Sequence, residues 1–178
     1  MRKIVNVVIA AGLPISSVWA SPQSDKAAPV TVVGYFDATV SDGEHQSGYA
    51  LSLWRAGDTI VGFLIVPRGL AGDPPTGLLE NVTLGSNGEL FFTAKVPGGW
   101  KTPEIPTVDE YQFNGVLESG MVKGTLQRVT GKLNAGTPEE RITFRRSRDM
   151  SEVMRKYPTY KAWQEHAATI LRRRGPRQ

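Results

Sequence analysis

The chain has 178 residues, 40% of them hydrophobic, no cysteine, and a formal net charge of +4. Absent cysteine excludes a disulfide framework, thiolate metal sites and thiol nucleophiles. The length fits one domain whose core needs no metal or disulfide staple.

Residues 1–20 read as an export signal. Arg2 and Lys3 give the positive start, Ile4 to Val18 an apolar stretch, and Val18-Trp19-Ala20 places small residues at −3 and −1 of a cut before Ser21. The stretch is shorter than the ~20 residues of a membrane span, and Pro14 would break a helix. The segment therefore predicts a periplasmic or secreted protein. Residues 21–29 follow as a flexible, polar leader.

From Val30 to Arg146, short apolar runs alternate with glycine-bearing links. Eight strands are predicted, at 30–40, 47–54, 59–67, 78–84, 89–96, 110–117, 121–129 and 140–146. Tyr49, Leu51 and Leu53 share one face, as do Leu90, Phe92, Ala94 and Val96. The links Ala56-Gly57-Asp58, Gly85-Ser86-Asn87-Gly88 and Glu118-Ser119-Gly120 are tight enough to force antiparallel pairing. Gly34, Gly62, Gly115 and Gly124 interrupt strand interiors, the device by which a sheet bends and closes. The expected fold for 30–148 is an up-and-down antiparallel β-barrel of about eight strands, with a two-sheet sandwich as the alternative.

Two connections, 69–77 and 97–109, exceed hairpin length and read as proline-stiffened loops. Trp100 and Lys101, flanked by Gly98-Gly99 and Pro103, are the leading candidates for ligand contact. Tyr35 and Trp54 are further candidates, Trp54 standing just before a turn.

Residues 149–178 change period. Ser151 is expected to cap a short helix ending near Tyr157, and Pro158 to open a second one. In that helix Tyr160, Trp163, Ala167, Ile170 and Leu171 form one apolar stripe, with Arg172, Arg173 and Arg174 at its end. Residues 141–178 hold eleven Lys/Arg against three Asp/Glu, while 21–140 hold eight against fourteen. A basic tail thus follows an acidic body, and the stripe is expected to pack on the barrel, with peripheral contact to anionic lipid through the arginines as an alternative. Export argues against a nucleic-acid partner.

Nothing in the chain forms a Walker loop, a dinucleotide fingerprint or a nucleophile elbow, so no cofactor or catalytic residue is assigned. His45 and His166, the two histidines, predict no metal site. Asp37 and Glu80 lie within predicted strands. Facing inward together, they would form an acid–base pair and make an enzyme the alternative reading. The meander plus helix resembles the lipocalin and avidin-like plan, although the lipocalin Gly-x-Trp is replaced by Gly34-Tyr35-Phe36. A shared plan transfers no function. The reading is an exported, non-catalytic binding protein, holding a small apolar ligand in the barrel mouth or a protein partner through its loops.

Overall fold

The computed structural model describes residues 29–70, 73–102, 105–129, 139–152 and 154–174. The segments predicted as export signal and leader, apart from Pro29, lie outside these residues. The strands are β1 (Val30–Asp42), β2 (His45–Ala56), β3 (Thr59–Ile65), β4 (Arg68–Leu70), β5 (Thr76–Leu84), β6 (Glu89–Thr102), β7 (Ile105–Glu118), β8 (Met121–Arg128) and β9 (Glu140–Ser147). Two helices follow, α1 (Arg148–Glu152) and α2 (Tyr160–Arg174).

Eight strands close an antiparallel up-and-down barrel, because β1 pairs with both β2 and β9. The ninth, β4, pairs with β2 alone and stands outside the ring. It keeps the register of β3, since Ala50 faces Ile65 and His45 faces Leu70. The ladder breaks at Val66-Pro67, where proline has no amide to donate.

Two seams of the ring are short. β1 meets β9 only over Tyr35–Asp37, and β3 meets β5 only over Phe63–Ile65. Spacing alone therefore reads equally well as a barrel or as two sheets; the seams decide for the barrel.

The bend glycines sit where backbones crowd. Gly115 and Gly124 face each other across β7 and β8. A Cβ on Gly115 would lie 2.1 Å from the Lys123 carbonyl oxygen, and one on Gly62 would lie 2.1 Å from that of Ser52. Gly34 stands at the register shift that follows Val32 in β1.

Inward positions fill the ring with apolar side chains. Phe92 stacks on Phe113 at 5.0 Å between centroids, and Phe113 meets Phe144 edge-on at 6.1 Å. A void able to hold water would leave accessible surface on its lining. Leu51, Leu53, Leu64, Phe92, Phe113, Val122 and Phe144 have none, at 0% exposure. The middle of the barrel is a packed core.

The C-terminal segment buttresses both seams. At the β1–β9 seam Ser147, rather than Ser151, caps α1, its Oγ accepting from the Met150 amide at 3.4 Å. Ser151 lies inside the helix, where its hydroxyl donates to the Ser147 carbonyl at 2.6 Å and accepts from the Tyr35 amide at 3.0 Å. Val30 and Tyr157 then exchange backbone hydrogen bonds of 2.9 and 3.1 Å. Thr159, one residue after Pro158, caps α2 through its Oγ1 to the Ala162 amide at 3.2 Å.

The predicted stripe of α2 packs on the barrel's outer wall. Trp163 and Ala167 are buried against Val30, Trp54, Val61 and Phe63, with Ile170 and Leu171 half-buried beside them and Leu78 of β5. The helix thereby covers the β3–β5 seam, and Arg174 at its end pairs with Asp73 just before β5. An amphipathic helix gains most of its stability from such burial.

The segment at 97–109 departs from expectation. It is not an irregular loop: β6 and β7 run on through it as a hairpin arm, with register shifts at Pro97/Gly99 and Trp100/Thr102. The prolines and glycines create irregularities in the ladder instead of ending it.

Candidate functional site

Every strand of the ring runs between two ends of different character. Short turns at 57–58, 85–88 and 119–120 close one end. Two arms leave the other. From Ala38 to Asp42, β1 pairs only with β2, and from Pro97 to Val108, β6 and β7 pair only with each other.

At the arm end the inward positions change from apolar to polar. Strand period carries Phe113 to Tyr111 and Asp109 on β7, Leu126 to Arg128 on β8, and Leu51 to Tyr49 on β2. Tyr49 and Tyr111 meet edge-on at 5.9 Å, forming a floor above the core. Asp109, only 2% exposed, sits above them.

Asp109 is held by two cations. Arg68 Nη2 donates to its Oδ2 at 2.6 Å, and Arg128 Nη2 donates to its Oδ1. Arg68 also donates to the Gly98 carbonyl at 2.6 Å and to the Tyr111 hydroxyl at 3.2 Å. Because β4 belongs to β2 while Gly98 and Asp109 belong to the other arm, Arg68 ties the two arms together.

The titration shifts agree with this geometry. Burial alone would lower the Arg68 guanidinium, but Asp109 and Tyr111 outweigh it and the net shift is upward. Burial pushes the Tyr49 phenol up to about 12, aided by Tyr111 and by Glu140, to which it is hydrogen-bonded. Burial also raises Tyr111. With a cation on each oxygen, Asp109 anchors Arg68 and Arg128 in place.

Apolar surface flanks this layer. Val40 on the first arm is 68% exposed and Val108 on the second 40%. The paired charges of this layer are thus flanked by an exposed apolar side chain on each arm.

The four residues singled out from the sequence are not brought together. Trp54 faces outward beneath α2, 4% exposed, and its indole nitrogen donates to the Arg155 carbonyl at 2.9 Å. It anchors the helix and offers a ligand no surface. Tyr35 is half-buried on the outer wall at the β1–β9 seam, its phenol raised by burial and by Asp37. Trp100 and Lys101 belong to the β6 arm, with their side chains outside the described part of the structure.

The inward carboxylate pair is overturned. Asp37 follows inward Phe36 and so faces out, where it accepts from the Thr39 amide at 2.8 Å. Glu80 follows inward Leu79 and lies exposed, 4.0 Å from Lys95. Among the described residues, no cluster of His, Asp and Glu could hold a metal ion. His166 is half-buried against Tyr157, with ring centroids 5.3 Å apart, and burial together with Arg155 lowers its pKa.

Arg68, Asp109 and Arg128 did not stand out in the sequence. Their signal is parity: Asp109 and Arg128 occupy core-facing positions at strand ends, two residues from Tyr111 and Leu126. Comparison with protein-family models, with curated proteins and with solved structures finds no match for the chain.

Proposed function

We propose that the protein is an exported, non-catalytic binding protein that contacts a protein or peptide partner through its two hairpin arms. The observation that carries this reading is the Arg68 bridge, which holds the arms in one frame beside exposed Val40 and Val108. A preorganised surface loses little entropy on binding, which favours rigid arms over floppy loops. Export rests on the layout of residues 1–20.

The packed core weighs against a small apolar ligand inside the ring. Such a molecule would have to sit above Tyr49 and Tyr111, among charged groups. Contact with anionic lipid is also weakened as a reading. The apolar stripe of α2 already lies on the barrel, so Arg172 and Arg173 would have to act by charge alone.

Site-specific photocrosslinkers at Val40 and Val108, with Thr83 at the opposite end as control, test the proposal in the cell that makes the protein. One discrete adduct common to both arms and absent from Thr83 is expected. Adducts arising equally from both ends, or from Thr83 alone, would refute it.

A further inference from the structure

The opposite end of the barrel carries an open groove of about 670 Å³, lined by Ser119, Gly120, Arg146, Arg148, Ser151 and Glu152. Its walls are built. The Gly120 carbonyl accepts from the Arg146 amide at 2.9 Å, clasping the β7–β8 turn to β9. Ser151 is fixed by its two hydrogen bonds to the Ser147 carbonyl and the Tyr35 amide. Arg146 Nε passes 3.2 Å from where a Gly34 Cβ would stand, so a glycine there leaves room for the arginine.

Arg146 and Arg148 line the groove, and among the described residues neither is in an ion pair with a carboxylate. Each guanidinium presents a planar fork of donors that matches the oxygens of a phosphate or carboxylate. Ser119 adds a hydroxyl, and Glu152 adds one carboxylate, an acceptor through both oxygens, on the same lining. The volume falls in the range of sites that take whole organic molecules rather than lone ions.

We propose that this groove binds a small polyhydroxy organic anion, its phosphate or carboxylate head on Arg146 and Arg148 and a hydroxyl on Glu152. A second negative charge at the Glu152 side would be repelled, so the ligand has one anionic head and a neutral, hydrogen-bond-donating body. The site is independent of the arms, which leave the ring at its other end.

Amide NMR titration of the folded protein in low-salt buffer tests this with glycerol phosphate, glycerate, inorganic phosphate and uncharged glycerol as probes. Saturable shifts confined to 119–120 and 146–152 are expected with glycerol phosphate or glycerate, tighter than with inorganic phosphate and absent with glycerol. Whichever of the two binds more tightly identifies the head group. Arg146→Gln and Arg148→Gln, made singly, should each weaken binding by about tenfold or more, the loss expected for a charge-assisted hydrogen bond. Arg173→Gln on α2 should leave it unchanged. The proposal is overturned by an absence of saturable shifts, by equal affinity in both groove variants and the parent, or by inorganic phosphate binding as tightly as the organic anions.

Discussion

Arg68 Nη2 donates to Asp109 Oδ2 at 2.6 Å, across 41 residues of sequence, and joins the strand outside the ring to the β6–β7 arm. Removing the carboxylate leaves two guanidinium groups facing each other with no counter-charge. A fully buried pair broken in this way costs several kcal/mol; Arg68 and Arg128 have 32% and 46% of their side chains exposed, so solvent screens much of it. Asp109→Ala is expected to lose about 2 kcal/mol in chemical denaturation. It should also speed amide exchange in the segment where β4 pairs with His45–Ser47. Unchanged exchange there would mean that Arg68 does not hold the arms together.

Crowding between β7 and β8 sets the second expectation. A methyl group at position 115 would meet the Lys123 carbonyl oxygen at 2.1 Å and the Gly124 Cα at 2.7 Å, both backbone atoms that cannot swing aside. Gly115→Ala should destabilise the barrel by about 2 kcal/mol, the usual size of an overpacking penalty. Gly43→Ala tests the opposite situation, because nothing lies within 4 Å of a Cβ there. Its cost should come only from its positive φ of 58°.

Trp163 is the keystone of the helix–barrel contact, touching Trp54, Phe63 and Tyr160 at ring separations of 6.2, 5.9 and 5.7 Å. Truncating so large a buried ring costs about 4 kcal/mol. Trp163→Ala should therefore detach α2, uncover the β3–β5 seam and make the C-terminal segment sensitive to protease before the barrel unfolds. Simultaneous cleavage of tail and barrel would argue that the two form one cooperative unit.

Alkaline pH should destabilise the protein in a defined window. The Tyr49 phenol is raised from 10.0 to about 12 in the folded state. Between those values the unfolded chain releases a proton that the folded one keeps, so stability is intact below pH ~10 and falls as pH rises toward ~12. Tyr35, Tyr111 and Tyr157 shift in the same direction, each mainly through burial. Denaturation midpoints measured across this window should fall less steeply for Tyr49→Phe than for the parent. Equal slopes would show that Tyr49 is solvated.

The ring was legible in the sequence because its signals are local. Period-two faces, tight glycine turns and the helical stripe of Tyr160 to Leu171 follow from neighbouring residues, and each reappears in the fold. The arms were less legible, since prolines and glycines at 97–109 predict a loop unless the ladder absorbs them as irregularities. The place of Trp54 was legible only in part, for a tertiary reason: its surface disappears when a segment more than a hundred residues away lands on it. In the Arg68–Asp109–Arg128 cluster, parity marks Asp109 and Arg128 on the paired strands β7 and β8, whereas no spacing along the chain announces Arg68, 41 residues before Asp109.

Native mass spectrometry of the protein recovered from its own cells tests the central claim most directly. With the ring filled by its own side chains, the folded barrel should carry no small apolar molecule, whether or not a macromolecular partner sits on its arms or an anion in the groove at its other end. A stoichiometric small apolar molecule, retained in the gas phase and released only on unfolding, would contradict the packed interior and the binding surface argued from it.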